Sequence, residues 1–383
     1  MSEPVAIVPC ASYDREVVRA ALTRLLAPIG GLDWVRPGMK IILKPNLVIF
    51  FKPEAAATTH PSIVAELTAM LVERGAQVLI GDSPGGLYNN AFLERVYRAT
   101  GMAQAVEAGA QLNRDFSQKQ AVFPEALAAK NFAYTGYLDD ADAIINICKL
   151  KSHGLMALSA AVKNMFGAVP GTIKPEYHYR FPHPRDFAAM LIDLNRYFPP
   201  GLCICDAVVA MEGNGPTQGT PRQMGQLLAS ACPHALDLAC AHLIGLSPAA
   251  VPTLVVAREQ DLIPDTVEEL TVHGDLTGAV AGDFEKVAAT HGLSFGGRLS
   301  GTLGRVARWV MRKALGSVPI VVKPVCVGCA ECETICPAKA IVMKKRLPVI
   351  NRKACISCFC CQEFCPKGAL RVKRPLLARV LNK

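Results

Sequence analysis

The chain has 383 residues, enough for a large hydrophobic core and, as we predict, for two domains. Hydrophobic residues make up 51% and charged residues 19%, a composition that excludes a generally disordered chain. The N-terminus MSEPVAIVPC has no basic segment followed by an apolar one, and the sequence has no run of about 18 uncharged apolar residues. We therefore expect no signal peptide, no transmembrane helix and a cytoplasmic location, in which the cysteines are reduced thiols and are available as metal ligands.

Apolar runs of strand length alternate with helical patterns over residues 1–290. The predicted strands are 5–10, 40–48, 77–83, 143–150, 202–210 and 253–257. The predicted helices are 14–27, 61–74, 89–100, 156–166, 186–197 and 233–245. Several strands are apolar on both faces, which is typical of a parallel sheet covered by helices. The alternation predicts an α/β domain with a large, mostly parallel sheet, and residues 291–319 are interpreted as a linker with a basic helix.

Polar side chains follow several of the predicted strands. Lys44 and Asn46 interrupt one apolar run, His60 precedes a helix that begins at Pro61, and Asp82 lies in a glycine-rich turn. Ligands bind beyond the carboxyl ends of the strands in open parallel sheets, so these positions are candidates for a binding site. A simple strand-to-helix connection is the alternative for the glycine-rich turn.

The segment 146–171 carries the strongest signal in this domain. Lys149, Lys151 and His153 follow a strand, and Lys163 and Asn164 follow them on a helix. Cations gathered at a strand end suit a phosphate or carboxylate ligand. A solvated basic edge is the alternative, but an unpaired charge in so apolar a segment is costly.

The glycine-rich segment 211–219 follows the predicted strand 202–210. Its glycines allow a backbone to approach a ligand closely. Asp206 and Glu212 bracket the end of the strand, where either could accept a proton, bind a metal or pair with the lysines.

Several stretches of the large domain stand in a recognisable order: KPNLV, TTHP, IGDSPGG, CKLKSHGLMALSAAVKN, GAVPG and MEGNGPTQG. Together they resemble the family known as DUF362, over nearly the whole of residues 1–290. The family name means that its activity is not generally established, so the resemblance supplies no reaction and no catalytic residues. The absence of GxxxxGK[ST], GxGxxG and HExxH motifs argues against a standard ATPase, nicotinamide enzyme or zinc protease.

The cysteines of residues 320–383 form an internal repeat with the spacing C-x2-C-x2-C-x3-C-P. The first run is Cys326, Cys329, Cys332 and Cys336, and the second is Cys355, Cys358, Cys361 and Cys365. Each cysteine lies 29 residues from its counterpart, which indicates a duplication and a pseudo-twofold fold. The segment closely resembles the bacterial two-cluster ferredoxins, so we predict a small α+β ferredoxin-like domain with two [4Fe–4S] clusters. Its combination with the large domain looks like a familiar architecture for the DUF362 family.

The fourth cysteine of each run is expected to ligate the cluster held by the other run. Cys365 therefore joins the first three cysteines of the first run, and Cys336 joins those of the second run. Cys360 is additional and is interpreted as an unligated thiol beside a cluster. Zinc is the alternative metal, which the two complete runs with their following prolines disfavour.

The net charge of +9 is distributed unevenly. Residues 301–383 carry 17 Lys and Arg against 3 Asp and Glu, or +14, and the rest carries 24 against 29, or −5. The basic residues either offset the charge of the clusters or dock an acidic partner, such as an acidic ferredoxin or a flavodoxin that exchanges electrons. Contact with a membrane surface stays open, and no nucleic acid is expected.

These observations lead to one functional hypothesis and one alternative. The hypothesis is an iron–sulfur oxidoreductase that reduces an anionic small molecule, or an intermediary organic cofactor, in the large domain. The candidate catalytic residues are Lys149, Lys151, His153, Lys163 and Asp82, with His153 or Asp82 as the proton donor. The candidate binding residues are Lys44, Asn46, His60, Asn164 and Glu212. The alternative is a non-enzymatic electron carrier or redox subunit whose large domain docks a protein partner.

Overall fold

A computed structural model describes residues 4–286 and 318–373 of the chain. The first range folds around a nine-stranded mixed sheet with the strand order β11-β1-β10-β9-β7-β2-β3-β4, in which β8 pairs only with β7. The sheet strands are β1 (Val5–Pro9), β2 (Lys40–Pro45), β3 (Gln77–Ile80), β4 (Gln111–Leu112), β7 (Ala143–His153), β8 (Ala157–Ser159), β9 (Leu202–Glu212), β10 (Thr220–Ser230) and β11 (Val272–His273). A separate hairpin is formed by β5 (Gln118–Val122) and β6 (Asn131–Thr135).

Most neighbouring strands of the large sheet are parallel, as the sequence predicts. The antiparallel pairs are β1 with β10, β10 with β9, and β7 with β8. Strand β10 was not predicted because its first half, TPRQMGQ, is polar and lacks an apolar run. The sheet is therefore mixed, although its centre, β9-β7-β2-β3, is parallel throughout.

Helices cover both faces of the sheet. The α-helices of this range are α1 (Arg15–Leu26), α2 (Pro61–Val72), α3 (Asn90–Thr100), α4 (Ala103–Glu107), α5 (Ala161–Asn164), α6 (Lys174–Arg180), α7 (Pro184–Tyr197), α8 (Pro233–Leu243) and α9 (Pro252–Glu259). Strand residues alternate between two cores: Ile41 and Leu43 pack with α1, α2 and α3, whereas Ile42 packs on the side of α7, α8 and α9. The architecture is thus a three-layer α/β/α domain, in agreement with the predicted fold class.

Local signals place several helix starts correctly. Helix α2 begins at Pro61, whose missing N–H costs nothing at a first turn, and the Asn89 side chain accepts a hydrogen bond of 3.0 Å from the N–H of Phe92 at the start of α3. The predicted strand 253–257 is wrong, because these residues lie in α9. A short apolar run does not separate a buried strand from a buried helix, and Pro252 at the first helical turn was the overlooked signal.

The second described range contains two separate two-stranded sheets and two short helices. Strand β12 (Val318–Val321) pairs with β15 (Leu370–Lys373), and β13 (Ile341–Lys344) pairs with β14 (Leu347–Ile350), both antiparallel. The two cysteine helices, as we name them, are Glu331–Thr334 and Cys360–Glu363. The predicted linker helix and the C-terminal basic tail lie almost wholly outside the described residues.

The duplication seen in the cysteine spacing extends to the backbone. The two cysteine helices are related by the same 29-residue shift as the cysteines. Positive φ values recur at that shift, at Gly328 and Ser357, at Ala330 and Phe359, and at Lys339 and Gly368. Left-handed backbone is uncommon for residues other than glycine, so its repetition at matching positions indicates one geometry built twice. No helix in the described ranges is both long and apolar enough to cross a bilayer.

Candidate functional site

The polar strand ends predicted from the sequence meet at one edge of the sheet. Strands β3, β2, β7 and β9 are neighbours and run parallel, so their carboxyl ends lie side by side. The structure divides the side chains at this edge into two groups. One group is closed and charge-paired, and the other surrounds a cavity.

The closed group, which we call the paired cluster, consists of Tyr13, His60, Lys149 and Asp206. Lys149 Nζ lies 2.9 Å from Asp206 Oδ2 and donates to the Tyr13 hydroxyl at 2.9 Å. The Tyr13 hydroxyl in turn donates to Asp206 Oδ1 at 2.8 Å, and its ring stacks on His60 at a centroid separation of 3.5 Å. Burial lowers the pKa of His60 to about 4, so the imidazole is neutral. Lys149 and His60 therefore belong to a buried ion-pair cluster apart from the cavity.

The second group surrounds a cavity of about 80 Å³, the lysine cavity. It lies where the sheet edge meets the second cysteine helix. Its lining residues are Asn46, Val48, Ile49, Asp82, Ser83, Pro84, Gly85, Lys151, Ser159, Lys163, Asn164, Phe166, Gly167, Lys174, His178, Pro216, Glu363 and Phe364. Five of the residues predicted for the site are among them: Asn46, Asp82, Lys151, Lys163 and Asn164.

Lys151 is a buried cation without a carboxylate partner among the described residues. Its Nζ donates to Asn46 Oδ1 at 2.7 Å and to the carbonyl oxygen of Ala57 at 2.9 Å. Burial, aided by the charge of Lys163, lowers the pKa of Lys151 to about 7. An ammonium group that loses its proton near neutral pH can act as an acid or bind an anion.

Lys44 lies behind the cavity wall and has a carboxylate partner. Its Nζ lies 2.8 Å from Asp82 Oδ1, while Asp82 Oδ2 accepts the N–H of Leu47 at 3.0 Å. Burial lowers the pKa of Lys44 despite this pairing. A Cβ added to Gly167 would lie 1.9 Å from Asp82 Oδ1, so glycine is required there for the ion pair to form.

A chain of amides fixes Asn46 and Asn164. The Asn46 side-chain nitrogen donates to Asn164 Oδ1 at 2.9 Å, and the Asn164 nitrogen donates to Asn146 Oδ1 at 2.7 Å. The orientation of Asn46 directs its oxygen to Lys151. Lys163, by contrast, is half-buried and has no hydrogen bond or ion pair among the described residues; its Nζ lies 5.9 Å from the centre of the Phe166 ring.

Sequence reasoning missed Lys174 and His178 in this cavity. Lys174 Nζ donates to the carbonyl oxygen of Ser83, and burial lowers the pKa of Lys174 to about 7. His178 stacks on Phe187, its Nδ1 has no partner in the described part of the chain, and burial lowers its pKa to about 3. The two residues stand four apart on α6, a spacing that places them on one helix face and was the available signal.

Sequence reasoning also missed the contribution of the cysteine unit to the cavity. Glu363 and Phe364 line it, and both stand between Cys361 and Cys365 in the chain. A Cβ on Gly85 would lie 1.9 Å from the Phe364 ring, which shows how closely the ring packs on the glycine-rich turn.

Glu363 also contacts His153, which lies outside the cavity lining. His153 Nδ1 accepts the N–H groups of Leu155 and Met156, so its proton is on Nε2. His153 Nε2 lies 3.0 Å from Glu363 Oε1, but the contact lacks the alignment of a hydrogen bond. Burial lowers the pKa of His153 to about 4. Burial acts to raise the pKa of Glu363, but Lys163 and the histidines nearby hold it well below its usual range.

Of the segment 211–219, Pro216 alone lines the lysine cavity. The segment holds the cysteine unit in place: Gln362 Nε2 donates to the carbonyl oxygen of Asn214 at 2.9 Å, and Gln218 Nε2 donates to that of Cys365 at 3.4 Å. Glu212 accepts the N–H of Glu285 at 3.0 Å and is separate from the lysines. The closest approach among the glycines of the segment is that of Gly215, where an added Cβ would lie 2.1 Å from the carbonyl oxygen of Ser152.

The eight repeat cysteines fall into two groups in space. One small cavity is lined by Cys326, Cys329, Cys332 and Cys365, and another by Cys336, Cys355, Cys358 and Cys361 together with the buried Cys360. The fourth cysteine of each run therefore stands with the first three of the other run. None of the fifteen cysteines forms a disulfide.

Backbone donors point at two of these sulfurs in the same way. The N–H of Ala340 donates to Cys336 Sγ, and the N–H of Ala369 donates to Cys365 Sγ, each at 3.2 Å. In the described ranges no three His, Cys, Asp or Glu side chains are close enough to hold a single metal ion. Each group of four thiols thus contains one sulfur that accepts a backbone N–H, and four thiols are the usual ligand set of a [4Fe–4S] cluster.

Comparisons with known proteins identify the large domain. The chain is 33% identical over 279 residues to the thylakoid-associated protein sll1697 of Synechocystis sp., a match that covers 71% of this chain and 83% of that protein. Among solved structures, the lactate racemase apoprotein from Thermoanaerobacterium thermosaccharolyticum matches 57% of this chain with 12% identity and a TM-score of 0.38, and the chain spans about half (53%) of that structure. Residues 41–242 match the family model described as a domain of unknown function, DUF362. The chain belongs to the DUF362 family.

Proposed function

We propose that this protein is an iron–sulfur oxidoreductase in which two [4Fe–4S] clusters exchange electrons with an anionic small molecule in the lysine cavity. The observation that carries the proposal is the shared wall of that cavity. Lysines of the sheet edge line one side, and Glu363 and Phe364, which stand between cysteines of the two groups, line the other. An anion in the cavity is therefore bound next to the cysteine unit.

The cysteines support the cofactor assignment. Cys326, Cys329, Cys332 and Cys365 would hold one cluster, and Cys336, Cys355, Cys358 and Cys361 the other. Such clusters supply one electron each at a time, so a pair suits a two-electron change. Cys360 is a ninth thiol beside the second group and is not needed as a ligand.

The side chains of the cavity provide binding and proton transfer. Lys151, Lys163 and Lys174 attract the anion, and Asn46 orients Lys151. The proton donor in this proposal is Lys151 or Lys174, since each lines the cavity with a pKa of about 7. Asp82 is engaged by Lys44, and the His153 proton on Nε2 faces Glu363, so both are weaker candidates than the sequence predicted.

The enclosure of the lysines favours this function over a pure electron carrier. Lys151 and Lys174 are buried, so the side chains of a docked protein would not reach them as they reach a surface patch. The cysteine unit, however, exposes a set of basic residues that suits an acidic redox partner: Lys323, Lys339, Lys344, Lys345, Arg346, Arg352, Lys353 and Lys367. Electron transfer from such a partner should slow as salt is raised, because salt screens exposed charges beyond about 8–10 Å.

Metal and sulfide analysis of the anaerobically purified full chain tests the proposal. About eight iron and eight sulfide atoms per chain are expected. Cys361→Ser should lose or convert one cluster, whereas the adjacent Cys360→Ser should keep the full iron content. Stoichiometric zinc with little iron would overturn the cluster assignment, and equal loss in both variants would overturn the ligand sets.

The proposed enzymatic function is tested by identifying any small molecule that stays bound to the protein during purification. Denaturation of the wild type should release a small anion. The Lys151→Met variant should keep both clusters but release no anion. Lys130→Met, at an exposed lysine away from the cavity, is the matched control. Absence of a bound molecule together with co-purification of another protein would favour the electron carrier instead.

A further inference from the structure

The charges around the lysine cavity specify its ligand more closely than the proposed function does. Lys151, Lys163 and Lys174 line the cavity, and no ion pair within 4 Å involves any of them among the described residues. Asp82 is neutralised by Lys44, which leaves Glu363 as the one lining carboxylate not paired with a lysine in the described ranges. With the lysines protonated, the cavity has an excess of about two positive charges, which a dianion would balance.

The donors available in the cavity favour carboxylates over phosphate. Phosphate sites are typically built from free backbone N–H groups in glycine-rich loops. Here those groups are already used: Ser83 N–H donates to the Gly167 oxygen, Gly85 N–H to the Val48 oxygen, and Gly171 N–H to Ser83 Oγ. The remaining side-chain donors include separate ammonium groups, the imidazole of His178 and the hydroxyl of Ser159.

His178 gives an independent indication of a ligand. It is 3% exposed, and its Nδ1 has no hydrogen-bond partner in the described part of the chain. A buried polar atom without a partner costs free energy, which an acceptor in the cavity would recover. Lys174, four residues earlier on α6, would meet the same ligand group.

The size and walls of the cavity limit the rest of the ligand. A volume of about 80 Å³ takes roughly six water-sized groups. This is the size of a short organic acid. Val48, Phe166 and Phe364 provide apolar surface for the carbon atoms between the charged ends.

We propose that the lysine cavity binds a small organic dicarboxylate of about four carbons, held by Lys163, by Lys174 with His178, and by Lys151. The role of the dicarboxylate as a substrate rests on the proposed function, whereas the binding site itself does not depend on that function. Glu363 sets the total charge, so a monocarboxylate of the same length binds more weakly.

Calorimetric titration of the anaerobically purified full chain tests this inference with succinate, butyrate and inorganic phosphate. Succinate should bind at least about tenfold more tightly than butyrate, which lacks the second carboxylate, and more tightly than phosphate. Binding at pH 8 should take up protons, measured in buffers of different ionisation enthalpy, because the anion raises the pKa values of Lys151 and Lys174 above about 7. At pH 6 the uptake should largely vanish.

Two variants and a control complete the test. Lys163→Met and Lys174→Met should each weaken succinate binding about tenfold or more, whereas the exposed Lys130→Met should leave it unchanged. If Lys174→Met does not fold, Lys163→Met decides, since that lysine makes no hydrogen bond and no ion pair within 4 Å in the described ranges. Undetectable succinate binding, wild-type affinity in Lys163→Met, or tighter binding of phosphate would each overturn the dicarboxylate site. Iron content, measured on the same samples, reports separately on the proposed function.

Discussion

The paired cluster and the lysine cavity differ in how they treat two lysines of the same strand. Lys149 has Asp206 at 2.9 Å and a tyrosine hydroxyl, so its charge is balanced within the fold. Lys151, two residues on, donates to an amide oxygen and a carbonyl oxygen and has no carboxylate partner in residues 4–286 and 318–373. The partner of a buried lysine thus indicates its role. A lysine paired with a carboxylate has a structural role, whereas a lysine with only neutral acceptors beside a cavity indicates a site for an external anion.

The largest effect expected from this comparison is on stability. Lys149→Met leaves Asp206 as a buried carboxylate without its cation and should reduce the free energy of unfolding by about 3–5 kcal/mol. Urea denaturation measures the loss, and the double variant with Asp206→Asn should recover part of it. Lys151→Met, at the same pH, should cost far less. Equal losses in the two single variants would remove the distinction between the clusters.

An intermediate effect is expected at the wall shared with the cysteine unit. Gly85→Ala places a methyl group where the Phe364 ring lies and should destabilise the packing by about 1–3 kcal/mol. Hydrogen exchange of the amides in 359–368 should become faster. The control is Gly201→Ala, where an added Cβ has no atom within 4 Å. Unchanged exchange in Gly85→Ala would mean that the ring is not held against this turn.

The smallest effect, counted for a single pH unit, concerns the titration of Lys151. Burial lowers the pKa of Lys151 from 10.5 to about 7, so between those values the unfolded chain holds a proton that the folded chain lacks. Stability therefore rises with pH in this window, by at most about 1.4 kcal/mol per pH unit for this lysine. Lys151→Met removes that contribution, so its stability relative to the wild type should be highest near pH 7 and should fall towards pH 10. A difference that is constant with pH would contradict the lowered pKa.

Much of the architecture could be predicted from the sequence, because strands buried on both faces and proline at helix starts are local signals. The gathering of polar residues at the ends of parallel strands was also predictable, and Asn46, Asp82, Lys151, Lys163 and Asn164 do line one cavity. The separation of Lys149 from Lys151 was not, because it depends on Asp206 and Tyr13, which are distant in sequence. Glu363 was missed for the same reason: only packing of the cysteine unit brings it to the sheet edge.

The position of Glu363 and Phe364 makes the cavity a property of both parts of the molecule. A chain that had the sheet but not the cysteine unit would present Lys151 and Lys174 to water. Without the burial that depresses them, the pKa values of these lysines would return towards 10.5, and neither lysine would titrate near neutral pH. Removal of the cysteine unit would thus deprive the sheet edge of the proposed acid as well as of the proposed source of electrons.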